Sequence, residues 1–73
     1  MDYVDRLTAL RTDRDIGQIE LAELLNCNQP AISKYETRKI KYSIEDLILL
    51  CKFYNVSADF ILGLPEDMPY PKR

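Results

Sequence analysis

Between Gln18 and Tyr35 the chain reads Gln-Ile-Glu-Leu-Ala-Glu-Leu-Leu-Asn-Cys-Asn-Gln-Pro-Ala-Ile-Ser-Lys-Tyr. Two short apolar-periodic segments flank a tight polar turn, Asn26-Cys27-Asn28. The small Ala22 falls where two helices would cross closely. Ile32 and Tyr35, three apart, form the inner stripe of the second segment. Two helices joined by so short a turn make a helix-turn-helix unit, with the outer face of the second helix left uncovered.

The flanking sequence supplies the helices that such a unit packs against. Val4, Leu7 and Leu10 recur at spacing three, which predicts a helix from about Asp2 to Asp13. Arg11, Asp13, Arg14 and Asp15 make a polar break, and Gly17 ends the turn before the second helix. That helix runs from about Gln18 to Leu25, with Leu21, Ala22, Leu24 and Leu25 inward. Asn26 then supplies the left-handed residue wanted at its end. The third helix runs from about Gln29 to Thr37. Asn28 is its N-cap, and Pro30 falls in the first turn, where a missing N–H costs little. Ser43-Ile44-Glu45-Asp46 resembles a capping box and opens a fourth helix, with a core stripe of Ile44, Leu47, Leu50, Cys51 and Tyr54. A short fifth helix follows Ser57 and ends near Gly63. Pro65, Pro69 and Pro71 predict an extended tail over 65–73, leaving 1–64 as the folded unit.

Seventy-three residues make one domain, and a chain this short buries only about 60% of its unfolded surface. Pairing is a common remedy. Apolar residues make up 47% and charged residues 30%, a globular balance. No apolar run approaches the ~20 residues that span a membrane, and the start Met1-Asp2-Tyr3-Val4-Asp5-Arg6 has no apolar signal segment. A cytoplasmic protein is expected. Cys27 and Cys51 form no CxxC pair and read as small buried hydrophobes. Histidine is absent, which excludes a histidine-based triad and argues against zinc. No glycine-rich phosphate loop or activated nucleophile is present. Asp13 with Asp15 reads as a polar turn, and Glu45 with Asp46 as helix N-terminal charge. No catalytic residue, metal or cofactor is expected.

The net charge of −2 is unevenly spread. Lys34, Arg38, Lys39 and Lys41 lie close together with Glu36 as the one acid among them, while Asp2, Asp5, Glu20, Glu23, Asp59, Glu66 and Asp67 lie elsewhere. A basic stripe on an acidic body attracts phosphate locally and stays soluble on its far side. Beside a helix free to enter a major groove, this makes double-stranded DNA the leading expected partner.

Taken together, Arg6-Leu7, Leu10-Arg11, Gln18, Leu21-Ala22-Glu23-Leu24-Leu25, Ile32-Ser33-Lys34-Tyr35-Glu36, Leu47, Leu50, Val56-Ser57 and Ile61-Leu62-Gly63-Leu64 resemble the Cro/repressor-type (Xre) helix-turn-helix family. The resemblance covers Arg6 to Leu64. It implies an all-α, five-helix, lambda-repressor-like DNA-binding domain with its helix-turn-helix at helices two and three. It further implies bacterial or phage transcriptional regulation, most often repression, as a homodimer on a two-fold site. An Arg11–Glu36 ion pair joining the first and third helices is also implied. The chain departs from the family pattern at four places. Asn26 replaces the usual turn glycine, Thr37-Arg38 an Asn-Gly, Tyr42 a proline, and Pro30 a polar base-reading side chain. An antitoxin or protein-interaction module on the same scaffold is the alternative.

A helical wheel puts Gln29, Pro30, Ser33 and Thr37 on the outer face of the third helix, with Lys34 at its edge. Gln29 is the expected base reader, since its amide matches the N6 and N7 atoms of adenine. Pro30 either presses on a thymine methyl or starts the helix. Ser33 and Lys34 suit a base edge or a phosphate. Phosphate contacts are expected from Gln18, Asn28, Thr37, Arg38, Lys39, Lys41 and Ser43. Leu49 and Phe53, four apart on the far side of the fourth helix, are either covered or exposed. If exposed, they would join Phe60 and Ile61 in a homodimer surface. The tail from Pro65 to Pro71 is either a frayed terminus or a docking segment for a partner protein.

Overall fold

The computed structural model describes residues 1–64, which form five helices: α1 Tyr3–Asp13, α2 Gln18–Leu24, α3 Gln29–Glu36, α4 Ile44–Tyr54 and α5 Ala58–Leu62. The expected tail, 65–73, lies outside the described residues. Among the described residues there is no strand, and no helix is long and apolar enough to cross a membrane.

Each helix starts where a short polar side chain or glycine can begin it. Asp2 accepts from the Asp5 amide while Asp5 accepts from the Asp2 amide, a closed capping box on α1. Asn28 Oδ1 accepts from the Ala31 amide at 3.0 Å. Ser43 and Asp46 form the second box, and the Ser57 hydroxyl accepts from the Phe60 amide. Gly17 precedes α2 without a side-chain bond. The chain then turns through left-handed residues: Asp15, Asn26, Arg38, Asn55 and Gly63 all have φ between 55° and 71°. Asp and Asn tolerate this region. Arg38 gains nothing local from it, and such a residue costs about 1–2 kcal/mol.

The core is built from Val4, Leu7, Leu21, Ala22, Leu25, Ile32, Tyr42, Leu50, Tyr54 and Ile61. Leu24, Leu47, Cys27 and Cys51 are partly buried against it, and both cysteines are free thiols. Two expectations need correction here. Ile44 is 74% exposed. It is the first residue of α4 and lies about 90° round the wheel from the stripe centred on Leu50 and Tyr54. Ile61 is only 1% exposed, so it is a core residue and offers no surface to a partner. Tyr42 was not anticipated in the core. It stacks on Tyr35 at 4.4 Å between ring centroids and meets Tyr3 edge-on at 6.4 Å, tying the loop after α3 to α1. Burial pushes the Tyr42 phenol above its ordinary pKa.

Candidate nucleic-acid interface

The second and third helices pack through Leu21, Ala22, Leu25 and Ile32, all buried. This leaves one side of α3 uncovered. Gln29, Pro30, Lys34 and, just past the helix, Thr37 are exposed, while Ser33 is half-buried. The Thr37 hydroxyl donates to the Ser33 carbonyl at 2.7 Å, which fixes its orientation.

A chain of hydrogen bonds runs behind this face. Gln29 Nε2 donates to Gln18 Oε1 at 2.6 Å, and Gln18 Nε2 donates to Glu36 Oε1 at 2.8 Å. Arg11 holds the same carboxylate from the other side, with Nε to Oε2 at 2.7 Å and Nη2 to Oε1 at 3.0 Å. Its remaining nitrogen, Nη1, donates to the Ile16 carbonyl at 2.8 Å. The expected Arg11–Glu36 pair is therefore present and bidentate, with side-chain exposures of 14% and 9%. Donating to Glu36 strengthens Arg11's hold on its proton. The linkage from Gln29 through Gln18 to Glu36 was not anticipated. It joins residues 11 and 18 apart in sequence, and nothing local signals it. One N–H and the carbonyl oxygen of Gln29 stay outside this chain, enough for one donor and one acceptor.

The basic residues divide. Lys34, Lys39 and Lys41 are exposed and make no ion pair among the described residues. Arg38 is paired with two carboxylates. Its Nη2 lies 2.9 Å from Asp2 and 2.8 Å from Asp5, and its Nε lies 3.1 Å from Asp2. The guanidinium holds both carboxyls below their ordinary range, that of Asp2 at about 2. Asn28 Oδ1 and Ser43 Oγ serve as caps, so their remaining capacity is the Asn amide nitrogen and the Ser hydroxyl proton.

Leu49 and Phe53, four apart on α4, and Phe60 of α5 are exposed. Phe60 shares a cleft with Arg6, Ala9, Leu10 and Asp13 of α1. On α4, the larger apolar feature is a groove of about 470 Å³ against α5, lined by Ile44, Leu47, Ile48, Cys51, Ala58 and Leu62 with Lys52 as its one charged member. Its exposed large apolar members are Ile44, Ile48 and Leu62. Among the described residues no cluster of His, Cys, Asp or Glu is arranged to hold a metal.

Comparison with known proteins bears on this geometry. The helix-turn-helix family model matches residues 7–61. The chain is 36% identical to the HTH-type transcriptional regulator YobD of Bacillus subtilis over 96% of its own length and 62% of that protein. It is 37% identical to the HTH-type transcriptional activator BcrR of Enterococcus faecalis over 90% of its length and 32% of that protein. It thus spans less than two thirds of either curated relative. A transcriptional regulator from Listeria innocua superposes with a TM-score of 0.82 at 25% identity, covering 92% of this chain and 63% of that one. The P22 c2 repressor, solved with a synthetic operator, superposes with a TM-score of 0.73 at 27% identity, covering 85% and 94%.

Proposed function

The chain belongs to the helix-turn-helix family, and from that premise we propose that it binds double-stranded DNA in a sequence-specific way and regulates transcription, with α3 in the major groove. The carrying observation is the polar chain Gln29–Gln18–Glu36–Arg11, which holds an exposed amide at the start of α3 in a fixed orientation. A preorganised amide suits base reading, and Gln29 is the base reader in this assignment. Pro30, Ser33 and Lys34 complete the groove-facing set. Gln18, through its second N–H, Asn28, Thr37, Lys39, Lys41 and Ser43 take phosphates, which position the protein without carrying sequence information.

The protein acts as a homodimer, placing two copies of α3 on half-sites about 34 Å apart. The apolar groove of Ile44, Ile48 and Leu62, with Leu49, Phe53 and Phe60 as further candidates, supports a second copy as occupant. Repression by occupancy is favoured by the likeness to a repressor covered over 94% of its length, although BcrR is an activator. The reading assigns no catalytic role and places the protein in the cytoplasm, where a bacterial chromosome lies.

The test is selection of bound duplexes from a random pool at near-physiological salt. Enrichment of an inverted repeat supports a two-fold regulator. No enrichment by a demonstrably folded sample overturns the reading and moves the role to protein binding on the same scaffold.

A further inference from the structure

We propose that Asp2 and Asp5 sequester Arg38 in competition with a DNA phosphate, and so limit how tightly the protein holds any duplex regardless of sequence. The inference rests on the DNA-binding reading above. Arg38 follows the last turn of α3 and immediately precedes Lys39, within the loop that presents the free lysines. A cation at this point is placed to meet a backbone phosphate beside the groove that α3 enters. Instead its Nε and Nη2 are turned onto two carboxylates at the start of α1, at 2.8–3.1 Å.

The fork is built to be exchanged. All three side chains are about half exposed, at 48%, 51% and 45%. Exposed ion pairs contribute little net stability and are screened by salt. A phosphate offers the guanidinium the same bidentate geometry as a carboxylate. The acids have a second occupation, since Asp2 and Asp5 cap each other's amides whether or not Arg38 is present. Releasing Arg38 therefore leaves α1 intact. The left-handed backbone at Arg38, φ 64°, points the same way. Glycine costs least there, and this chain carries an arginine at a position that its backbone disfavours.

The experiment measures binding of a random-sequence duplex by fluorescence anisotropy between 50 and 300 mM salt, for the wild type, Asp2→Asn/Asp5→Asn, and the same double variant with Arg38→Gln. Asparagine caps a helix about as well as aspartate, so the fold survives, as a thermal melt verifies. The double variant should bind about five- to tenfold more tightly at 0.1 M salt, with the slope of log K against log[salt] steeper by roughly one phosphate contact. Adding Arg38→Gln should abolish both gains. A gain that persists without Arg38 reflects bulk charge and overturns the inference, as does an unchanged affinity in the double variant. Both outcomes leave DNA binding itself standing. Failure of all three proteins to bind overturns the DNA-binding reading and this inference with it. Should the double variant unfold, Asp5→Asn alone, which loosens Arg38 while Asp2 still caps α1, gives a smaller gain of the same kind.

Discussion

Removing Glu36 tests whether α3 is held by a buried charge network or only by apolar packing. Arg11 and Glu36 are 14% and 9% exposed and share two hydrogen bonds. Glu36→Ala leaves Arg11 largely buried with one remaining partner, the Ile16 carbonyl. Arg11→Ala leaves Glu36 with Gln18 alone. A charged hydrogen bond is worth roughly 1.5–3 kcal/mol, and breaking a buried pair from one side costs about 3–5. Partial exposure puts each single substitution near 3 kcal/mol by the same reasoning. The double variant strands neither charge and should lose only about 4 kcal/mol, giving a coupling energy near 2. A 73-residue domain has a total stability of roughly 4–10 kcal/mol, so the single variants remain measurable by urea denaturation followed by helical circular dichroism. The cycle is repeated at 0.5 M salt, where an exposed pair loses its coupling and this one should retain most of it. Coupling below about 0.5 kcal/mol, the value for exposed pairs, would refute the argument that this network orients α3.

Three further outcomes follow from other parts of the molecule. The Tyr54 hydroxyl is buried without a hydrogen-bond partner among the described residues, so Tyr54→Phe should be neutral or stabilise the fold by up to about 1 kcal/mol in the same denaturation assay; a loss above 1 would show that the hydroxyl is satisfied by water. Arg38 depresses the carboxyls of Asp2 and Asp5, so their contribution is complete above pH 3.8 and declines as pH falls towards about 2. Melting temperatures measured from pH 5 to 2 should fall less steeply for Arg38→Gln than for the wild type, and parallel curves would contradict the fork. On selected and random duplexes, Gln29→Ala should narrow the difference between the two, while Lys39→Ala weakens both alike and reduces the salt slope by about one; equal losses for Gln29→Ala would remove it as the base reader.

The helices were legible in the sequence because their signals are local. Asn28, Ser43 and Ser57 each sit directly before an apolar-periodic run, and each is an N-cap in the structure. Asn26 takes the left-handed conformation that the missing glycine requires. The failures are non-local. Ile44 is apolar and opens α4, yet it lies about 90° round the wheel from the buried stripe of Leu50 and Tyr54 and stays exposed. Tyr42 stands in a loop without periodicity, flanked by Lys41 and Ser43, and is buried only because Tyr35 and Tyr3 converge on it. Arg38 reads as one cation among four, and its partners lie 33 and 36 residues away. Local pattern therefore located the exposed face of α3 and the residues on it. Which of its charges are free was a question of tertiary contact.

That distinction matters for how α3 is held. Glu36 in its last turn is gripped by Arg11 near the end of α1, and Arg38 just beyond it by Asp2 and Asp5 at the beginning of the same helix. Two residues of the α3 terminus thus reach points on α1 separated by about 9–13 Å, at 1.5 Å per residue. The Arg11–Glu36 pair fixes the end of α3 through two hydrogen bonds, and the Arg38 fork adds a second tie to the start of α1. They differ in kind. The Arg11–Glu36 anchor is largely buried and insensitive to salt, whereas the Arg38 fork is exposed and screened. Gln18 and Gln29 depend on the buried anchor alone, through Glu36. Opening the Arg38 fork, by salt or by a phosphate, therefore adds a cation to the interface while the orientation of Gln29 is kept. In the proposed reading, base recognition and backbone attraction rest on separate ion pairs, and each can be altered without the other.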